Sequence, residues 1–280
     1  MKKVSGWKRI AALLFTGVLL TGLLTGCGGQ GEPQEESPGE EVTLKVGAAL
    51  VPHKGILEQV TDNLKEEGSN LEIVVLDAED QLNQALADKQ IDANYFQHLP
   101  YLESVREEKG WDLVSVGGIH IEPIGLYSEK VKSLEDFKTG NASIAIPNNA
   151  SNEYRALLVL EKNGLIKVSE SASNALCTIA DIAENPYNIK FEEVEAAQLP
   201  RVLPDVTGAI INTNFVLDAG LDVSSAIIRE DADSPYANII TVRKEDENNE
   251  AIQKLVKALQ SDEIRQYLKD EYGDAVVPAF

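Results

Sequence analysis

From Val42 onward the chain alternates short runs of β-branched and apolar residues with segments of helical spacing, and this alternation restricts the fold more than any other feature. Thr43–Ala49 precedes the helical pattern Ile56–Glu66, Leu71–Leu76 precedes Gln81–Lys89, Ile91–Tyr95 precedes Leu99–Lys109, and Leu113–Val116 closes the series. Strand–helix alternation predicts an α/β fold with mainly parallel strands, because parallel neighbours need a crossover that a helix supplies. A second series holds a short helix at Ser133–Lys138, a strand at Ser143–Ile146 and a helix at Glu153–Lys162 closed by Asn163-Gly164. It runs on through a helical pattern at Ser173–Ala183 around Cys177 and strands at Lys190–Val194 and Gly208–Asn212. A strand at Ala237–Val242 and amphipathic helices at Glu250–Lys257 and Ser261–Tyr272 then read as a return to the first unit.

The amino terminus says where such a fold works. Lys2, Lys3, Lys8 and Arg9 form a basic start, Ile10–Leu24 is an uncharged apolar run, and Leu24-Thr25-Gly26-Cys27 closes it. This is the order of a bacterial lipoprotein signal, and the run of 15 residues is short of the roughly 20 that a spanning helix needs. Cleavage before Cys27 would free a thiol and an amine to carry acyl chains; an uncleaved anchor and a chance cysteine are the alternatives. Each of these places the remainder outside the cytoplasm. Gly28–Glu41 contains no apolar side chain and is rich in Gly, Pro and Glu, the composition of a flexible tether. The expected organisation is a signal peptide at 1–26, the lipidated cysteine and tether at 27–41, one lobe at 42–122, a second at 123–236, and a return at 237–280.

Without its first 27 residues the chain keeps 21 basic and 46 acidic residues, a net charge of −25, which excludes nucleic acid as a partner. The excess acid marks a solvated, self-repelling surface rather than a reaction. Cys177 is then the one remaining thiol; it forms no internal disulfide and reads as a small buried side chain. No G-x-G-x-x-G, Walker, G-x-S-x-G, CxxC or HExxH pattern occurs, so neither enzyme nor cofactor is expected. His53, His98 and His120 stand far apart in sequence, which gives a zinc site little support and sets the expected metal at none.

Ligands in open α/β sheets sit beyond the carboxyl ends of strands, so the residues following each strand are the candidates. Asn94-Tyr95-Phe96-Gln97-His98 offers two aromatics, amides and an imidazole, enough for a pocket with an apolar wall and polar tips. It equally suits a core strand with His98 starting a helix. Between Pro147 and Arg155 a strand passes to a helix; Ser151 or Asn152 could cap it, and Arg155 one turn in could hold a carboxylate through two parallel hydrogen bonds. Pairing of Arg155 with Glu153 or another acid is an equal alternative. Asn212-Thr213-Asn214 and the stretch Ser234–Asn238 supply donors and acceptors, and are also ordinary turn signals.

Taken in order, these segments resemble the methionine-binding lipoprotein family of NlpA type, the extracytoplasmic solute receptors of methionine ABC importers. The resemblance spans about residues 42 to 280 and rests on Val46-Gly47-Ala48 with Pro52-His53, Ile91–Leu102, Glu122–Ser128, Pro147-Asn148 with Asn152 and Arg155-Ala156-Leu157, Glu184-Asn185-Pro186, Gln198–Arg201, Ile211-Asn212-Thr213 and Ser234-Pro235-Tyr236. It implies a two-lobed periplasmic-binding-protein-like α/β fold that closes on its ligand by hinge motion, an ABC permease as partner, and a lipid-anchored place on the extracytoplasmic face of the cell membrane. By that resemblance Arg155 would clamp the ligand carboxylate with Asn152 beside it. Tyr95, Phe96 and His98 would shape the side-chain pocket, and Asn212 and Asn238 would bind the amino-acid backbone. L-methionine is the expected ligand, another amino acid or a short peptide the alternative, and an exported hydrolase or metal receptor a remote one. One departure is visible: where the family commonly reads aromatic-x-Asp-Tyr-x-x-Pro-Asn, this chain has Leu76–Asn83, with Glu79 in place of Tyr and Leu82 in place of Pro. If Glu79 reaches the cleft its carboxylate would disfavour a thioether and admit a ligand with an added donor; the alternative is a solvent-facing Glu79 at the start of the Gln81 helix, favoured there by the dipole.

Overall fold

The computed structural model describes residues 42–76, 79–169, 177–231 and 234–280, with residues 79 and 80 described by backbone alone. The signal-like segment, Cys27 and the tether lie outside the described residues, as does the Glu79 side chain. In chain order the strands are β1 (Val42–Ala48), β2 (Ser69–Val75), β3 (Ala93–His98), β4 (Leu113–Ile121), β5 (Gly125–Tyr127), β6 (Ser143–Pro147), β7 (Lys167–Val168), β8 (Ile182–Glu184), β9 (Lys190–Val194), β10 (Gly208–Ile211), β11 (Ile228–Arg229), β12 (Ala237–Arg243) and β13 (Val277–Pro278). They build a six-stranded sheet in the order β13-β4-β12-β3-β1-β2 and a five-stranded sheet in the order β11-β5-β10-β6-β9, with β7 and β8 paired apart. Each large sheet carries its own helices, so the fold is two-lobed and α/β.

The expectation of mainly parallel strands needs correction. β1 runs parallel to β2 and β3, and β6 runs parallel to β9 and β10. β12, however, inserts antiparallel between β3 and β4, and β5 lies antiparallel to both β10 and β11. The reversal follows from connectivity: β12 enters the six-stranded sheet on the chain's return from the other lobe and not through a helix of its own sheet.

Each lobe has its own core. Val46, Tyr95, Ile240 and Leu255 belong to the cluster on the six-stranded sheet, and Ile144, Leu157, Leu160 and Ile210 to that on the five-stranded sheet. The helix Glu250–Leu259 shows how sequence sets this packing. Asn249 caps it, its side chain accepting from the amides of Ala251 and Ile252, and Ala251, Ile252, Leu255, Val256 and Leu259 form its buried stripe. Truncating Leu255 to Ala would cost about 2–5 kcal/mol through lost transfer energy and the cavity left behind.

Two further expectations are revised. β3 does not end at Tyr95 but continues through Asn94-Tyr95-Phe96-Gln97-His98, all six of its residues buried. Polar side chains tolerate this because Asn83, Asn94 and Gln97 satisfy one another at 2.7 to 3.0 Å and Gln97 also donates to Thr241. The helix expected around Cys177 is absent from its described part: Thr178 caps a single 3₁₀ turn at Ile179–Asp181, and Ile182 then pairs with Val168 in β8. The rest of that pattern, residues 173–176, lies outside the described residues. Cys177 is buried, and burial pushes its thiol up to about 11.

Candidate functional site

The carboxyl end of β3 delivers Phe96, Gln97 and His98 to a cleft between the two sheets, and the following helix Leu99–Lys109 adds Tyr101. Glu122, just beyond β4, and Asn238 on β12 complete the side belonging to the six-stranded sheet. Opposite them, the first turns of the helix Ala150–Lys162 present Asn152 and Arg155, and the chain leaving β10 presents Asn212 and Asn214. The free space between these side chains is only about 20 Å³, room for about one water molecule. An amino acid does not fit in that space.

Of the residues singled out from sequence, Phe96, His98, Asn152, Arg155, Asn212 and Asn238 line this cleft together. Tyr95 does not; it is fully buried behind the cleft with its hydroxyl on Nδ1 of His120. The cap of the helix Ala150–Lys162 is Asn149 rather than Ser151 or Asn152, its Oδ1 accepting from the Asn152 amide at 3.0 Å and from Asn152 Nδ2 at 3.0 Å. That leaves Asn152 Oδ1 to accept from His98 at 3.1 Å and from Asn212 Nδ2 at 3.0 Å. Asn212 Oδ1 is buried with no hydrogen-bond partner. The cleft thus contains an amide oxygen ready to accept from a ligand's N–H.

Arg155 is buried and already held. Nε donates to both carboxylate oxygens of Glu230 at 3.0 Å, Nη2 donates to Glu230 and to the Glu122 carbonyl at 2.8 Å, and the guanidinium lies over the Tyr236 ring at 4.5 Å. Among the described residues Nη1 has no partner, so one edge of the guanidinium remains for a ligand. The alternative of pairing with an acid is therefore realised, with Glu230 and not Glu153. Glu153 instead accepts from the Ile179 amide at 2.7 Å, and burial raises its pKa.

Burial and an occupied Nδ1 keep His98 neutral. Nδ1 accepts from the Tyr101 amide at 3.2 Å, which caps the helix Leu99–Lys109, so the ring proton sits on Nε2 and is donated to Asn152. Burial lowers its pKa to about 3, with the nearby Arg155 charge acting in the same direction. Tyr236 meets the His98 ring edge-on at 4.9 Å, and Phe96 meets Tyr101 at 5.9 Å, giving the cleft aromatic walls.

Sequence reasoning missed Gln97, Tyr101, Glu122, Asn214, Glu230 and Tyr236. All but Asn214 and Glu230 lie in the stretches quoted for the resemblance, where each could have been named. Asn214 lies in the amide stretch Asn212-Thr213-Asn214, which reads both as a donor and acceptor site and as a turn signal, and nothing near Glu230 marks it as the partner of Arg155. Sequence distance also misled at a second cluster behind the cleft, where His53 and His120 meet beside Glu122.

Residues 44–280 match the family model described as NlpA lipoprotein. The methionine-binding lipoprotein MetQ of Bacillus subtilis is 37% identical over 273 residues, 95% of this chain and 98% of the relative. Among solved structures, a nutrient binding protein from Burkholderia cenocepacia bound to methionine superposes with a TM-score of 0.80 at 43% identity, over 85% of this chain and 100% of that one. A periplasmic substrate-binding protein of an ABC transporter from Coxiella burnetii superposes with a TM-score of 0.79 at 42% identity, over 84% and 100% of the two chains.

Proposed function

The chain belongs to the NlpA lipoprotein family, and from that membership and the cleft we propose that it is a lipid-anchored receptor that captures L-methionine outside the cytoplasm and passes it to an ABC permease. It is a solute-binding protein and not an enzyme, like the relatives it matches. One observation carries the ligand class. The free edge of the Arg155 guanidinium and the unpaired oxygen of Asn212 line the same cleft, a donor for a carboxylate and an acceptor for an ammonium. In this reading Asn152 holds the Asn212 amide and His98 holds Asn152, while Glu230 holds Arg155; Asn238 adds a further amide, and Phe96 with Tyr101 meets the ligand's apolar side chain. Attachment through Cys27 rests on the Leu24-Thr25-Gly26-Cys27 sequence.

A second reading, a short peptide, has one observation in its favour. A larger groove of about 520 Å³, lined by Leu50, Val51, Leu76, Gln198 and Phe215, shares Asn214 with the cleft and would admit a ligand longer than one residue. A thermal-shift panel of L-amino acids and dipeptides separates the two. Ligand at about 100 times its dissociation constant adds about 2.7 kcal/mol of stability. Stabilisation by methionine above all other amino acids supports the first reading, and stabilisation by dipeptides alone replaces it.

A further inference from the structure

His53 follows β1 and His120 lies near the end of β4, yet their rings approach to 5.1 Å between centroids. Glu122 stands between them, its Oε1 at 3.4 Å from His53 Nε2 and 2.7 Å from His120 Nε2, and one ligating atom from each residue lies within 4.8 Å of the others. Both imidazoles are fully buried and Glu122 is 4% exposed. The Arg155 charge acts on this carboxylate and the Asn214 amide donates to it, but no cation pairs with it directly among the described residues.

We propose that His53, His120 and Glu122 form a binding site for a divalent transition-metal ion, best matched by zinc, behind the amino-acid cleft and sharing Glu122 with its lining. Two imidazoles and one carboxylate are a zinc ligand set, and neutral imidazole is the form that ligates. Tetrahedral ligands at about 2.0–2.1 Å from zinc stand ~3.3 Å from one another, close to the separation of His53 and Glu122, while the two imidazoles, within 4.8 Å, would have to draw together. His120 and Glu122 would open by about half an ångström as the ion replaces their hydrogen bond. The His120 proton then moves from Nε2 to Nδ1, where the Tyr95 hydroxyl accepts it; this hydroxyl already fixes the ring with Nε2 toward Glu122. The His53 proton likewise moves to Nδ1, which is buried and unpaired. Asn238 Oδ1, 3.0 Å from His53 Nε2, is the next oxygen at hand.

The test uses the full chain, solubilised in detergent, without a histidine tag, stripped with chelator and reloaded with Zn²⁺ or Co²⁺. Elemental analysis after desalting should find about one zinc per chain, and Co²⁺ should give the strong visible absorption of a tetrahedral site. His53→Ala and His120→Ala, checked for folding by circular dichroism, should each weaken zinc binding at least tenfold. X-ray absorption of the zinc-loaded wild type should show two imidazoles, a readout that needs no variant. Substoichiometric zinc in the wild type, zinc retained by both histidine variants, or an absorption spectrum without imidazole scattering overturns the site. Methionine binding is read separately, so the two readings fail independently.

Discussion

His98 and Asn152 are joined by a 3.1 Å hydrogen bond that crosses the cleft, from the last residue of a strand in the six-stranded sheet to the first turn of a helix on the five-stranded one. The bond exists because the Tyr101 amide occupies Nδ1 and forces the ring proton onto Nε2. A second proton on the ring would have to displace that helix-capping amide.

Stability should therefore depend on His98 with a definite sign. Its folded pKa of about 3 lies below the unfolded value of about 6.5, so the unfolded chain binds the extra proton across that window. The contribution of His98 is complete above about pH 6.5 and is lost as pH falls toward 3, at up to about 1.4 kcal/mol per pH unit. Buried His53 and His120 act in the same sense, and Glu122, with its raised pKa, acts in the opposite one. The comparison that isolates His98 is denaturant unfolding of the wild type and His98→Gln between about pH 6 and 4. The variant should show the shallower dependence; equal slopes would mean that His98 is not held neutral.

Arg155→Ala should weaken binding of the ligand carboxylate at least tenfold by calorimetry, because losing one partner of a buried charge-assisted contact costs about 2–5 kcal/mol. It should also destabilise the protein, since Glu230 is then left without its cation in a site where its side chain is only 11% exposed. Glu230→Gln separates the two effects: it keeps the guanidinium and should retain measurable binding. Binding within twofold of wild type in Arg155→Ala would move the clamp elsewhere.

The cleft's residue types were legible in sequence where they sit at strand ends and helix starts, as Asn152, Arg155, Asn212 and Asn238 do. The end of β3 was not, because pattern reading takes Asn94 and Gln97 as leaving the core, whereas an amide network with Asn83 and Thr241 makes their burial affordable. Glu230 was invisible because its pairing with Arg155 spans 75 residues and follows no periodicity. The histidine cluster was hidden for the same reason: β1 and β4 are separated within their sheet by β3 and β12, and only the folded chain brings His53 to His120.

Tyr95 provides a test of what lies behind the cleft rather than in it. Tyr95→Phe removes the hydroxyl on His120 Nδ1 and should cost about 1–3 kcal/mol in stability, the usual penalty for a buried polar group left unpaired. Amino-acid affinity should stay within about twofold of wild type, because Tyr95 does not line the cleft. A large loss of affinity with unchanged stability would return Tyr95 to the ligand pocket.

Membrane attachment should depend on Cys27. In Cys27→Ala, fractionation should find an uncleaved precursor or a released protein without bound acyl chains, while folding of the chain from Val42 onward proceeds as before. Normal acylation and membrane retention of this variant would refute the lipoprotein reading.

The last prediction follows from the narrowness of the cleft. With about 20 Å³ free, the described arrangement cannot admit methionine, so binding requires that the segments crossing between the sheets bend and part His98 from Asn152. One such segment is Glu122-Pro123-Ile124, between β4 and β5, whose Glu122 carbonyl is itself held by Arg155. A ligand that bridges Arg155 on one side and Asn238 on the other gains both contacts only when the lobes are together, so saturation should shift the population toward the closed form. Small-angle scattering should then show a smaller radius of gyration with saturating methionine than without it. An unchanged radius, with binding confirmed in the same sample by calorimetry, would mean that the ligand enters through local side-chain movement and that the lobes do not hinge.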